Sequence, residues 1–184
     1  MKEAFEGFSF EEFSISPGLC AEETQRSTFI PNKENLILYG PVGTGKSHLA
    51  IDAGIAVCNN NFKFRFFHTA ALANELIEAK RDGRLGRFLK SIEKCDLVIC
   101  DEWGYIPVGS EGAKLLFQVI SDCYEKKSLI LTTNLEFGKW NDIFYDDKLT
   151  VAIIDRAIHH SHLPVFDRPS YRLGHSSMRN HEII

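Results

Sequence analysis

The stretch ILYGPVGTGKSHLA (residues 37–50) decides the fold of this chain. Gly40, Gly45, Lys46 and Ser47 satisfy the spacing G-x-x-x-x-G-K-[ST]; an apolar run at 35–39 leads into it and a helical pattern follows. Glycines let backbone N–H groups turn inward around phosphate oxygens, and a helix that starts where the loop ends points its positive pole at the same anion. Gly40, Pro41, Val42, Gly43, Thr44, Gly45, Lys46, Ser47 and His48 are therefore expected to hold a nucleoside triphosphate. Lys46 would reach the β- and γ-phosphates, and the Ser47 hydroxyl would ligate Mg2+.

Outward from the loop, strand and helix signals alternate, the pattern of an α/β sheet with mostly parallel strands. Strands are predicted at 35–39, 62–67, 97–100 and 128–132, with LPVF (163–166) as a last one. Helices are predicted at 46–60, 70–81 with Thr69 as its cap, 86–94, 111–126 and 149–161. The last carries Asp155, Arg156 and His159, His160 and His162. Ahead of all this, FEGFSFEEFSISPGLC (5–20) is acidic and aromatic but too short for its own core. The expected division is an N-terminal arm at 1–30, one ATPase domain at 31–175 and a tail at 176–184.

With 184 residues and 44% apolar content, the chain can bury a substantial core. No apolar run approaches the roughly 20 residues that cross a bilayer, and the start has no basic region before an apolar one, so a cytoplasmic protein is expected. Five cysteines without C-x-x-C spacing read as reduced, mostly core residues. The net charge of −4 excludes coating of nucleic acid by overall basicity. Charge is nonetheless uneven: residues 1–24 carry −5, whereas KRDGRLGRFLKSIEK (80–94) carries +4.

A phosphate loop alone does not separate a hydrolase from a kinase or a switch. The run LVICDE (97–102) delivers two carboxylates to the C-terminal end of a buried strand, where open α/β sheets place their ligands. Asp101 would hold the Mg2+ shell, and Glu102 would polarise a water for in-line attack on the γ-phosphorus. After the next strand, Asn134 could fix that water, or simply turn the chain. Loop, acid pair and terminal amide, in that order, form the signature of additional-strand P-loop ATPases.

With the phosphate loop, DLVICDEWGYIPVGSEGAKLLFQVISDCYE (96–125), LILTTNLEFGKW (129–140), AIIDRAIHHSHLPVF (152–166) and SYRLGHSSMR (170–179), the chain resembles the IstB-type transposition helper ATPases of insertion sequences. These are AAA+ proteins close to the DnaC and DnaI helicase loaders. The resemblance covers about residues 8–179. It implies a P-loop three-layer α/β/α sandwich with a five-stranded sheet and little or no separate lid. ATP and Mg2+ would be the cofactors, and duplex DNA, a cognate transposase and further copies of the chain the partners. Lys46 and Ser47 match Walker A, Asp101 and Glu102 match Walker B, and Asn134 matches sensor 1. Arg156 matches the arginine finger offered to a neighbouring subunit, and Arg172 a sensor-2-like arginine acting within its own subunit.

Lys80, Arg81, Arg84, Arg87 and Lys90 occupy the place where the initiator and loader branch carries an extra helix, which the resemblance turns toward DNA. Four phosphate contacts there would give log K a slope of about −3.6 against log[salt]. The same stretch reads equally as a solvated helix burying Leu85, Phe88 and Leu89. By resemblance, two departures are expected: the family's usual N-terminal helical domain would be absent before the arm, and Arg168 takes a turn position often held by glycine. The histidines of 159–162 are not expected to bind metal, since adjacent helical positions diverge and no carboxylate stands at ligand spacing. Rival functions are a replicative helicase loader, a P-loop small-molecule kinase and a nucleotide-gated binding module.

Overall fold

Three consecutive strands are apolar on both faces, and the structure explains why. In the computed structural model, which describes residues 21–167 and 169–174, β1 (Asn35–Tyr39), β2 (Phe64–His68), β3 (Leu97–Asp101), β4 (Ser128–Thr133) and β5 (Ser161–His162) form one sheet in the order β2-β3-β4-β1-β5. All four pairings are parallel. Such a sheet needs helices on both sides, because each crossover returns the chain over one face.

Strand alternation sorts the core into two halves. Leu36 and Leu38 of β1, Leu97 and Ile99 of β3 and Ile130 of β4 pack with Leu49, Ala53 and Val57 of α2 (Lys46–Asn59). Ile37, Val98, Cys100, Leu129 and Leu131 point the other way, onto Leu72 of α3 (Thr69–Arg81), Leu116 of α5 (Gly109–Cys123) and Ile153 of α7 (Asp147–Ile158). The result is a three-layer α/β/α sandwich in which β4 is inserted between β1 and β3. Between α3 and β3 runs α4 (Leu85–Glu93), whose Leu85, Phe88 and Leu89 pack against the second core half. Between β4 and α7, a 3-10 turn (Phe137–Lys139) and α6 (Asn141–Phe144) bury Trp140 and Phe144 against Trp103. After β5 the described residues add only α8 (Tyr171–Gly174).

The predicted elements are present with boundaries displaced by at most three residues, and four readings need correction. Thr69 does not cap α3: its hydroxyl donates to the Asp101 carbonyl at 2.8 Å, and His68 holds the cap position without a side-chain bond. The last long helix stops at Ile158 rather than 161, because His159 is extended (φ −62, ψ 125) and His160 is left-handed (φ 55). The fifth strand accordingly begins at Ser161, and of LPVF only Val165 bridges the sheet, to Tyr39. The end of the expected arm is integral to the core, since Phe29 and Ile30, beyond α1 (Ala21–Arg26), are fully buried beside β1 and α2.

Of the cysteines, Cys100 and Cys123 are buried free thiols, Cys95 is half-buried and Cys58 is exposed; Cys20 lies outside the described residues. Burial pushes the Cys123 thiol up to about 12 and Cys100 higher still, which keeps both unreactive. No helix among the described residues is long and apolar enough to cross a membrane. The tail at 176–184 and the turn residue Arg168 lie outside the described residues.

Candidate nucleotide site

Four parallel strands end at one sheet edge, and the residues at their ends meet there: Gly40 after β1, His68 of β2, Asp101 of β3 with Glu102 after it, and Asn134 after β4. Gly40 must be glycine, since a Cβ would lie 2.2 Å from the Phe166 carbonyl oxygen; at Gly43 (φ 81) a Cβ would lie 2.1 Å from Ser170 Oγ. The loop closes on itself through Thr44 Oγ1, which donates to the Pro41 carbonyl at 2.9 Å, and on β4 through Gly40 N donating to the Thr133 carbonyl. It leads into α2 through Gly45, a left-handed N-cap (φ 100) without a side-chain cap and with no acid in the first turn. Those first amides and the helix pole are therefore left for an anion.

Lys46 is buried, with Nζ donating to the Gly40 and Pro41 carbonyls at 2.7 and 2.6 Å. Burial lowers its pKa to about 8; Asp101 works in the opposite direction, and the Arg172 charge adds to the lowering. Ser47 Oγ donates to Asp101 Oδ1 at 2.8 Å, joining the loop to β3. Asp101 is 2% exposed, and Thr132 Oγ1 donates to the same Oδ1 at 2.5 Å. Thr132 Oγ1 in turn accepts from Glu102 N at 2.9 Å. Glu102 turns off the strand end in a left-handed conformation (φ 59), which strands its carboxylate outward from the buried Asp101. Asn134 Oδ1 is buried and makes no hydrogen bond in the structure.

Hydroxyl, buried carboxylate, outward carboxylate and unpartnered amide thus converge beneath a loop of free amides. A hydroxyl and a carboxylate are the oxygen donors that Mg2+ takes when phosphates supply the rest, so Ser47 and Asp101 fit that ion. The Asn134 oxygen is thus a buried acceptor left without a donor. Arg172 joins the same neighbourhood: its charge acts on Lys46 and Tyr105, and Tyr171 N donates to the Gly43 carbonyl at 2.9 Å. The imidazole of His48 turns instead along its own helix to Asp52, 3.3 Å away.

Arg156 is not brought to this edge. It sits in the last turn of α7, with Nη1 donating to the Ala152 carbonyl at 3.0 Å and its guanidinium 5.0 Å from the Phe117 ring centre. That turn adjoins the start of β1, where Asn35 Nδ2 donates to the Ala157 carbonyl, at the sheet end opposite the carboxylates. In the basic stretch, Lys80 pairs with Glu111 at 2.9 Å and Arg84 pairs with Asp82. Arg81, Arg87 and Lys90 are exposed and in no ion pair among the described residues. The apolar residues of α4 face inward while its cations face out, as the solvated-helix reading expects.

Sequence reasoning missed Thr132 and His68. His68 Nδ1 lies 3.5 Å from Asp101 Oδ2 and 3.7 Å from Glu102 Oε2. His68 was within reach of the rule that strand C-termini carry the ligands, since it ends an apolar strand in a polar side chain, whereas Thr132, one residue before the end of β4, meets Asp101 only through the pairing of β3 with β4.

The matches with known proteins agree with this geometry. A family described as IstB-like ATP binding protein matches residues 1–179. The chain is 42% identical over 153 residues to the IS232 insertion sequence protein of Bacillus thuringiensis subsp. berliner, covering 83% of this chain and 61% of that one. To the IS21 insertion sequence protein of Pseudomonas aeruginosa it is 38% identical over 165 residues, covering 88% and 62%. Both relatives are named for ATP binding, and the chain spans about six-tenths of their length. Among solved structures, the DnaC helicase loader superposes with a TM-score of 0.63 at 22% identity, over 76% of this chain and 85% of that one. The replication initiator DnaA bound to AMPPCP and single-stranded DNA gives 0.67 at 18%, over 94% and 54%. Those two likenesses show a shared α/β fold, and the family match does the rest: this chain belongs to the IstB-like ATP-binding proteins of insertion sequences.

Proposed function

We propose that the chain is a Mg2+-dependent ATPase that assembles on duplex DNA when ATP is bound and assists its transposase in selecting or activating target DNA. The observation that carries the enzymatic part is the Ser47–Asp101–Thr132–Glu102 hydrogen-bond chain beneath the glycine loop. Bound Mg2+ would neutralise charge on the β- and γ-phosphate oxygens. Lys46 would exchange its loop carbonyls for those oxygens, and the amides at the start of α2 would cradle the phosphates. Glu102 would accept a proton from water as its oxygen attacks the γ-phosphorus, with Asn134 Oδ1 orienting that water and ADP leaving in line. Arg172 would act on the same nucleotide.

Arg156, at the far end of its own sheet, would serve a neighbour instead. A guanidinium delivered there is worth about 10³–10⁵ in rate, or roughly 4–7 kcal/mol, so isolated subunits would turn over slowly and assembly would switch hydrolysis on. Arg81, Arg87 and Lys90 supply the DNA-facing charge, without any base-reading motif. Hydrolysis would then dissolve the assembly. The insertion sequence names of the relatives favour a transposase as partner, while the likeness to a helicase loader keeps a replicative helicase as the second reading. The test is ATP turnover with and without duplex DNA across protein concentration, with a pull-down against transposase and helicase. Rates per subunit that rise with concentration and with DNA support the proposal. Rates indifferent to both would overturn it.

A further inference from the structure

The histidines after Arg156 take on a different meaning once the helix is seen to end before them. His159 is extended and His160 left-handed, so the two neighbouring imidazoles, which helical spacing would splay apart, turn to one side with ring centres 3.9 Å apart. A carboxylate absent from the local sequence arrives from α5. Beyond Cys123, Glu125 is itself left-handed (φ 57), and its Oε1 lies 4.0 Å from His159 Nδ1. One donor atom each from Glu125, His159 and His160 lies within 4.8 Å of the others, all three on exposed residues.

We infer that Glu125, His159 and His160 form a binding site for one divalent transition-metal ion of the zinc type. Two imidazoles and a carboxylate are the donor set that such an ion takes, and they suit Mg2+ poorly. Tetrahedral bonds of about 2.0–2.1 Å require donors roughly 3.3 Å apart, which small rotamer changes of exposed side chains supply from the separations seen. The backbone beneath is fixed. Asn35 N donates to the His160 carbonyl at 2.9 Å, and Lys127 N to the Cys123 carbonyl at 3.0 Å, so both ligand-bearing turns are tied to the sheet's N-terminal end. The Tyr124 hydroxyl, 2.9 Å from His159 Nδ1, would give up that nitrogen when the metal binds there. Three protein donors leave one tetrahedral position for water or for a group from another chain.

The site cross-links the ends of α5 and α7 just past Arg156, so metal would stiffen the segment that presents that guanidinium. The inference does not rest on the ATPase proposal, because binding is read with no nucleotide present. The experiment is a calorimetric titration of tag-free full-length chain with Zn2+, repeated on Glu125→Gln, His160→Ala and a double His159→Ala/His160→Ala variant. Metal-free melting curves check that each variant is folded, and Ser47→Ala controls for the nucleotide site. One equivalent of Zn2+ is expected, with affinity falling at least about tenfold for each single change and at least about 100-fold for the double. Ser47→Ala should bind as the wild type does. Co2+ in its place should give tetrahedral visible bands that the double variant lacks. Equal Zn2+ affinity and stoichiometry in wild type and double variant would overturn the site, as would no binding by the wild type. Should a histidine variant be unfolded, the isosteric Glu125→Gln still decides.

Discussion

Replacing Thr132 by valine keeps the side-chain shape and deletes the hydroxyl that joins the Asp101 carboxylate to the Glu102 backbone N–H. Its Oγ1 donates to Asp101 Oδ1 at 2.5 Å and accepts from Glu102 N at 2.9 Å, and the residue is 1% exposed. Valine leaves the Glu102 amide without its acceptor, at a cost of about 1–3 kcal/mol, and removes a bond to an ionised group worth about 1.5–3 kcal/mol. Ser47 still donates to Asp101, so the net loss of stability should be about 3 kcal/mol. The catalytic effect follows from geometry: the left-handed turn that aims Glu102 is released, and misplacement by an ångström costs up to about 100-fold. Urea unfolding and steady-state kinetics measure both quantities. The expected result is a kcat about 10- to 100-fold lower with ATP affinity changed by less than about threefold, and Thr132→Ser recovering most of both losses. A valine variant within about 0.5 kcal/mol of wild type and equally active would refute the linkage.

Nucleotide affinity should carry the signature of Lys46. Its pKa of about 8 lies below the ordinary 10.5 in the free chain, and a triphosphate would raise it again, so ATP binds with proton uptake only above pH 8. Affinity should be flat below that point and about tenfold weaker at pH 9 than at pH 7, measured by titration with a fluorescent ATP analogue; Lys46→Arg should flatten the profile. Arg156→Ala should leave ATP binding by the isolated chain intact and lower DNA-stimulated turnover by at least about 10³, so unchanged turnover would remove the trans-finger role. Reversing Arg87 and Lys90 to glutamate should reduce the steepness of log K against log[salt] by about 1.8, and a wild-type slope would move the DNA surface elsewhere.

Much of this was legible in the chain because strand–loop–helix patterning and the strand-end rule act over short distances. The loop at 40–47, the acids at the end of β3 and the alternation of strands and helices along the chain could be read from local text, and so could the inner face of α2. What escaped depends on register between distant segments. Thr132 meets Asp101 only because β3 and β4 pair Ile99 with Ile130, and Lys80 meets Glu111 only because α3 packs on α5. The histidines were misread for the opposite reason. Helical periodicity continues past Ile158 in the sequence, but the tie from Asn35 to the His160 carbonyl favours an early end and the start of β5. The Glu125 carboxylate, brought by another helix, has no local signal at all.

The central claim is that one nucleotide site joins the glycine loop to the carboxylates of β3. A crystal structure with Mg2+ and a non-hydrolysable ATP analogue tests it most directly. The account predicts Mg2+ within bonding distance of Ser47 Oγ and in the shell of Asp101, Lys46 Nζ on the β- and γ-phosphates, and a water between Glu102 and the γ-phosphorus. A nucleotide bound elsewhere, or phosphates in the loop with Glu102 facing a separate cleft, would contradict it.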